Sequence, residues 1–477
     1  MKSLPTNFVS DLQVMQNFRK APIRVLPVAT ASDVKGSGTI KFLLPVGCVL
    51  DLKTFCMNFS GVTTLAGAAP AASATAGAAR NVGFPKYMQS LIQTFEIWVN
   101  NRQVVCINEF GRVYALLQDF KGNRSRKLGN NADPSVYTYV AADGTTTGLA
   151  TYRPTAAVGA AHDAANASKG DYCIDEWLGF LNPMNSSIVD TNLLGQIEIV
   201  LRLYSGNTVL WGSKDNANLD GTETLDFTLN NIVAYIDKID FKENLYYDYM
   251  ASLLKDPQGG MKIAYKNYTY TAGDATNGTK AITLKCTENA QCVDKLIFTF
   301  YDNTAAAIAG RQPLQLSADD SFASLVTKPD STLLLNSSIY YNRNGWGVGT
   351  VEFEINSQPI TGPLSITQQW EETLKAFECN EADDLKNINP AIRDLSHYKK
   401  NFYVCALSTS HINDRDPLIH YMSGIDTQST SLQLTVKTNA DPNNAWTAAS
   451  MAAIPVLITE YTSYLTITGQ RQVLPVR

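Results

Sequence analysis

The strongest constraint on this chain is that it echoes itself across half its length. Residues 95–120 read FEIWVNNRQVVCINEFGRVYALLQDF, and residues 351–377 read VEFEINSQPITGPLSITQQWEETLKAF. Each stretch opens with apolar residues at alternate positions: Phe95, Ile97 and Val99 in one, Val351, Phe353 and Ile355 in the other. That is the period of a strand with one buried face. Each then turns at an asparagine, Asn100 or Asn356, and continues with apolar residues three and four apart. Phe110, Tyr114 and Leu117, and in the later copy Trp370, Leu374 and Phe377, fall on one face of a short helix. The change from period two to period 3.6 comes at the same place in both.

Further echoes follow in the same order, each about half the chain apart. The strand-like Gly38–Leu44 (GTIKFLL) resembles Gly278–Leu284 (GTKAITL), and the apolar runs after Cys48-Val49 and Cys292-Val293 follow each. Asn182-Pro183 precedes Gln196–Leu203 (QIEIVLRL) as Asp416-Pro417 precedes Ser431–Lys437 (SLQLTVK). Phe227–Ile236 (FTLNNIVAYI) matches Ile454–Leu465 (IPVLITEYTSYL). A repeat of half the chain implies a duplicated domain, whereas a solenoid repeats every 20–50 residues. A chain of 477 residues is also too long for one ordinary core.

Charged residues are only 17% of the chain, and Thr, Asn, Tyr and Val are abundant, which favours strands. A net charge of −5 argues against a general nucleic-acid-binding surface. The first residues lack the apolar core of a secretory signal, and no run approaches the length of a membrane helix. The eight cysteines form no CxxC pair and lie on or beside apolar runs. Reduced, buried thiols are the expectation, against a disulfide between Cys286 and Cys292 across a hairpin.

The order of elements divides the chain into an N-terminal arm (1–36), a first β-domain (37–240), a linker (241–260) and a second β-domain (261–477) with a short C-terminal tail. In the arm, Phe8, Leu12 and Met15 form an apolar stripe, Lys2, Arg19, Lys20 and Arg24 make it basic, and Pro22 and Pro27 favour an extended path. It reads either as a loosely packed tail or as an arm that reaches a neighbour or an inner layer. Residues 61–83 and 121–170 are rich in small and polar residues and read as surface loops, the second carrying short strands such as Val136–Val140. Each domain then holds about eight strand-sized runs without a βαβ rhythm, which points to antiparallel sandwiches.

No catalytic, cofactor-binding or metal-binding residues can be nominated. His162, His397, His411 and His420 fit no zinc or HExxH spacing. Asp414 and Asp416 flank Arg415 as an ion pair would. Glu371-Glu372 and Asp383-Asp384 are adjacent in sequence and poorly placed to act across one bond. The tyrosines of 246–249 read as packing at the domain joint rather than as a sugar or base platform. No P-loop, GxSxG or dinucleotide fingerprint occurs.

The early GTIKFLLP strand, the FEIWVNN turn with its helix, the YYDYM joint and the EINSQPI turn with its helix resemble the double jelly-roll major capsid proteins of the adenovirus and giant-virus lineage. Those of virophages and polinton-like viruses are the most similar. The resemblance spans about residues 37–470. It implies an all-β fold of two tandem eight-stranded antiparallel jelly rolls with short helices in the loops. It also implies a structural protein of the virion, not an enzyme, with no cofactor. Its chief partner would be itself, as a pseudo-hexagonal homotrimeric capsomer meeting neighbouring capsomers in an icosahedral shell. Penton and other minor capsid proteins would be further partners, with no specific nucleic-acid binding. The competing classes are a trimeric receptor- or carbohydrate-binding β-sandwich protein of a virion, and a glycoside-processing enzyme with a β-sandwich accessory domain. The last needs a convergent carboxylate pair that the sequence does not offer.

Overall fold

The computed structural model describes residues 18–28, 33–66, 80–85, 87–121, 137–140, 146–150, 169–184, 187–214, 224–241, 248, 250, 261–274, 276–277, 281–287, 289–302, 343, 348–377, 395, 398, 402–410, 424–428, 433–440, 452–467 and 473–476.

The first half is built from β1 (Phe18–Val25), β2 (Thr39–Leu43), β3 (Val49–Ala66), β4 (Ile92–Val99), β5 (Arg102–Asn108), α1 (Phe110–Lys121), β6 (Lys169–Ile174), β7 (Ile188–Asp190), β8 (Ile197–Leu203) and β9 (Thr224–Phe241). One sheet runs β1-β9-β3-β6, with β7 also on β3, so that β6 and β7 make one broken strand. The other runs β2-β8-β4-β5. Every pairing is antiparallel.

The second half repeats the plan with β10 (Met261–Ala272), β11 (Ala281–Thr287), β12 (Val293–Asp302), β13 (Val348–Ile355), β14 (Gln358–Pro359), α2 (Ile366–Ala376), β15 (Cys405–Ser408), β16 (Gln433–Ala440) and β17 (Ala452–Ile467). Its sheets run β10-β17-β12-β15 and β11-β16-β13-β14. Numbered within its own half, each sandwich therefore has the orders 1-8-3-6 and 2-7-4-5. That interleaving of two four-stranded sheets is a jelly roll, and the chain holds two. Where the echoing strands are described, they are equivalent in this order: β2 with β11, β3 with β12, β4 with β13, β8 with β16 and β9 with β17.

The register follows from side-chain alternation. In β8, Ile197, Ile199, Leu201 and Leu203 are buried while Arg202 is exposed; β9 alternates in the same way. One buried face per strand fixes pairing, because a slip of one residue would turn the apolar set to solvent. Between the first pair of sheets, Trp177 stacks on Phe95 with ring centroids 5.6 Å apart and donates its indole N–H to the Phe55 carbonyl at 3.0 Å. In the second core, Phe300 packs between Phe298 and Tyr403. Both hairpins that precede the helices close with two left-handed residues, Asn100 (φ 49°) with Asn101 (φ 61°), and Asn356 (φ 49°) with Ser357 (φ 64°). This is the type I′ geometry whose twist suits two-residue hairpins.

Three expectations need correction. Residues 18–25, assigned to the arm, form β1, paired with β9 from Phe18↔Phe241 to Val25↔Ala234, and Asp33–Lys35 also pairs with β9. Pro22 follows the extended path expected of it, and as an edge strand β1 tolerates a residue that lacks an N–H. Residues 61–66, expected to begin a surface loop, continue β3 alongside β9. Within 121–170, the short strand expected at Val136–Val140 is present as Tyr137–Val140, paired with Thr146–Ala150 in a hairpin; the expected loop ends earlier than residue 170, because β6 begins at Lys169. Residues 1–17, 67–79, 303–330 and most of the linker lie outside the described residues, so the apolar stripe of the arm does too.

Seven cysteines are described, and each is a thiol outside any disulfide, Cys286 and Cys292 included; Cys379 lies outside the described residues. Cys48, Cys286, Cys292 and Cys405 are buried, whereas Cys56, Cys106 and Cys173 are partly exposed.

Candidate functional site: the seam between the two sandwiches

Helix α1 is where the two halves meet. Its sequence carries two buried faces rather than one. Phe110, Val113, Tyr114 and Leu117 face their own sandwich: Phe110 packs on Phe95 at 5.0 Å, and Tyr114 donates to Glu176 at 3.0 Å. Arg112, Leu116, Asp119 and Phe120 recur at the spacing of the opposite stripe and are also buried. A helix hydrophobic on one side only cannot be buried all round unless polar residues on the other side find partners. Here the second half supplies them.

The Arg343 guanidinium, fully buried, donates to the Asp119 carboxylate at 2.7 Å. The Arg112 guanidinium lies 4.4 Å above the Tyr301 ring, donates to the Tyr270 hydroxyl at 3.0 Å and sits 4.0 Å from Glu109. The Tyr301 hydroxyl donates back to the Arg112 carbonyl at 3.3 Å. Burial opposes the charge on Arg343, but Asp119 and Tyr301 more than offset it and hold the group protonated above its ordinary range. Burial also pushes up the Tyr301 phenol, against the pull of the arginines, so it stays neutral.

Around these charges the seam is apolar. Phe120 stacks on Phe377 with centroids 4.9 Å apart. Tyr265 on β10 meets Phe180 edge-on at 5.5 Å and donates its hydroxyl to the Val104 carbonyl on β5 at 3.1 Å. The edge of β10 is capped as well: Met184 N–H donates to the Ala264 carbonyl at 2.7 Å. Burying each such aromatic contributes about 1.5–3 kcal/mol. The ion pair adds little net stability against an apolar pair of the same shape, but breaking it costs several kcal/mol. Its effect is to fix how one sandwich sits on the other.

The residues considered from sequence fall elsewhere. Glu371 and Glu372 lie on α2, where Glu372 pairs with Lys375 at 2.7 Å. Asp248 is exposed. His162, His397, His411, His420, Asp383, Asp384 and Asp414 to Asp416 are outside the described residues. Among the described residues, no three Cys, His, Asp or Glu side chains converge as a metal site, and no helix is long and apolar enough to cross a membrane. Sequence reasoning did not find the seam residues Arg112, Asp119, Tyr265, Tyr301 and Arg343. The one available signal was the second stripe of α1, in which an arginine and an aspartate stand where a solvated helix face would be more polar.

Two jelly rolls in one chain, side by side on a built seam, define the double jelly-roll fold. The chain is similar over nearly its whole length to solved structures of that kind. They include PBCV-1 VP54 fitted into a cryo-EM reconstruction of the virophage Sputnik, with a TM-score of 0.55 and 11% identity over 97% of each chain. The Faustovirus major capsid protein gives 0.52 and 10%, covering 94% of this chain and 91% of that one. The mavirus major capsid protein gives 0.51 and 11%, covering 96% and 90%. At these identities the likeness establishes the fold. No protein-family model and no curated protein matches the sequence.

Proposed function

We propose that this protein is the major capsid protein of an icosahedral virus, located in the virion shell and acting as a structural subunit rather than an enzyme. Three copies form a homotrimer, and their six sandwiches give a pseudo-hexagonal capsomer that tiles the facets beside other capsomers, with penton and other minor capsid proteins at the remaining positions. The observation that carries this reading is the pair of sandwiches with one strand order joined by a directional seam, in a fold shared with major capsid proteins. A surface that differs from the surface it meets builds a ring when the rotation closes. With two similar units per chain, three chains supply six.

The division that accompanies this reading is a first unit from about Phe18 to Phe241, a joint, and a second unit from Met261 onward. Binding of nucleic acid has no part in it, and no residue is assigned a catalytic, cofactor or metal role. Static light scattering of the purified protein at micromolar concentration should give the mass of three chains. A monomer under those conditions would overturn the proposal.

A further inference from the structure

The first sandwich carries two thiols in contact on the outer face of one sheet. On β3, Phe55, Met57 and Phe59 are buried in the core, so Cys56 lies on the opposite face. On β6, Tyr172 and Ile174 are buried, and Cys173 between them is partly exposed, as Cys56 is. The register sets Cys173 opposite Asn58 and Ile174 opposite Met57, so Cys56 and Cys173 stand diagonally on neighbouring strands. The Cys173 thiol hydrogen-bonds to the Cys56 sulfur.

In a regular ladder a diagonal pair stands about 7–8 Å apart, and a disulfide needs Cα atoms within about 7 Å. β3 is not regular here. Its pairing with β6 stops at Met57, and its pairing with β7 begins at Asp51, opposite Ile188. On its other side Cys56 faces Tyr235, yet Asp51 already faces Asp237. Residues 52–55 therefore bulge out of both ladders. Side chains hold the bulge: the Thr54 hydroxyl donates to the Asp51 carbonyl at 2.7 Å and accepts from the Asp237 N–H at 2.9 Å. Trp177, just beyond β6, donates to the Phe55 carbonyl at 3.0 Å. Bulges re-aim the side chains beside them. This one leaves the chain just before Cys56 outside both ladders, where it can absorb the small shift that an S–S bond requires.

We propose that Cys56 and Cys173 are a reversible oxidation site, which closes to an intramolecular disulfide when the folded protein meets a low-molecular-weight disulfide such as glutathione disulfide. Cys56 is the attacking thiol, because the hydrogen bond from Cys173 favours its thiolate. The thiolate attacks one sulfur of glutathione disulfide, and that S–S bond breaks. One glutathione leaves as a thiolate and takes up a proton, and the other half stays on Cys56 as a mixed disulfide. The bond to Cys56 is the chief cause that keeps Cys173 protonated, and it is lost once Cys56 is capped. Cys173 then gives its proton to water and attacks the Cys56 sulfur, releasing the second glutathione. Two protein thiols are oxidised, and one glutathione disulfide is reduced to two thiols. The new bond ties β6, the edge strand of its sheet, to β3 where their ladder ends. This inference goes beyond the capsomer reading and does not rest on it.

The test treats the folded full chain with glutathione disulfide at about pH 8, where the Cys56 thiolate prevails. Remaining thiols are blocked with N-ethylmaleimide, and peptides are mapped by mass spectrometry without reduction. The Cys56 and Cys173 peptides should appear linked, lighter by two hydrogens than the sum of the two, and dithiothreitol should release them. Buried Cys405 should stay unmodified throughout, which shows that the bond formed in the folded chain. Cys173→Ser removes the second attack, so this variant should accumulate the glutathione adduct on Cys56 that the parent protein does not retain. A folded parent protein that keeps both thiols free, retains the Cys56 adduct as the variant does, or links Cys56 to a different cysteine would overturn the proposal.

Discussion

At the scale of single residues, the seam and one thiol pair make claims that do not depend on assembly. Asp119 and Arg343 are both almost fully buried, so removing one leaves a charge without its partner. Asp119→Ala should destabilise the chain by about 3–5 kcal/mol in urea unfolding. Replacing both, as Asp119→Leu with Arg343→Met, should recover most of that loss. A single replacement that costs under about 1 kcal/mol would mean that the pair is solvated. On the first sheet, Cys173 pairs with Asn58, which puts its thiol on the same face as Cys56. The hydrogen bond from Cys173 stabilises the Cys56 thiolate and brings its pKa down to about 7, while the same bond and burial raise Cys173. The thiolate is the reactive form and is present above the pKa. Alkylation of Cys56 by iodoacetamide should therefore rise roughly tenfold between pH 6 and pH 8, with a midpoint near 7. Cys405, whose pKa burial pushes up, should stay unmodified in the folded protein at both. Mass spectrometry of the peptides gives both results.

At the scale of elements, the two helix-preceding hairpins were legible because their turn chemistry is local. An asparagine after an alternating strand is a short-range signal, and Asn tolerates the left-handed backbone. Ser357 tolerates it less well at φ 64°, so Ser357→Gly should raise stability by about 0.5–1 kcal/mol by relieving strain, and Asn101→Gly by less. Thermal unfolding of the two variants beside the parent decides this; a loss of stability with Ser357→Gly would show that the turn is not strained. The helices were legible by periodicity, and α1 and α2 fall where Phe110–Leu117 and Trp370–Phe377 indicated. β1 was not legible as a strand. Its edge position makes Pro22 and the basic residues acceptable, and those are the signals that otherwise argue against a strand. The second face of α1 was hidden for another reason: Arg343 lies 224 positions from Asp119, and no local pattern links them.

At the scale of the molecule, weak echoes were informative because they occurred in one order. Low identity between halves hides residue-by-residue equivalence, yet the interleaving of strands keeps the sequence order of apolar runs. That is why the fold class could be read while the contact between halves could not. The central claim is that three chains close into one ring. Single-particle cryo-EM of the purified recombinant protein tests it most directly. The account predicts a three-fold ring with a hexagonal outline, built from six sandwiches of one topology. A two-fold dimer or a monomer would contradict it.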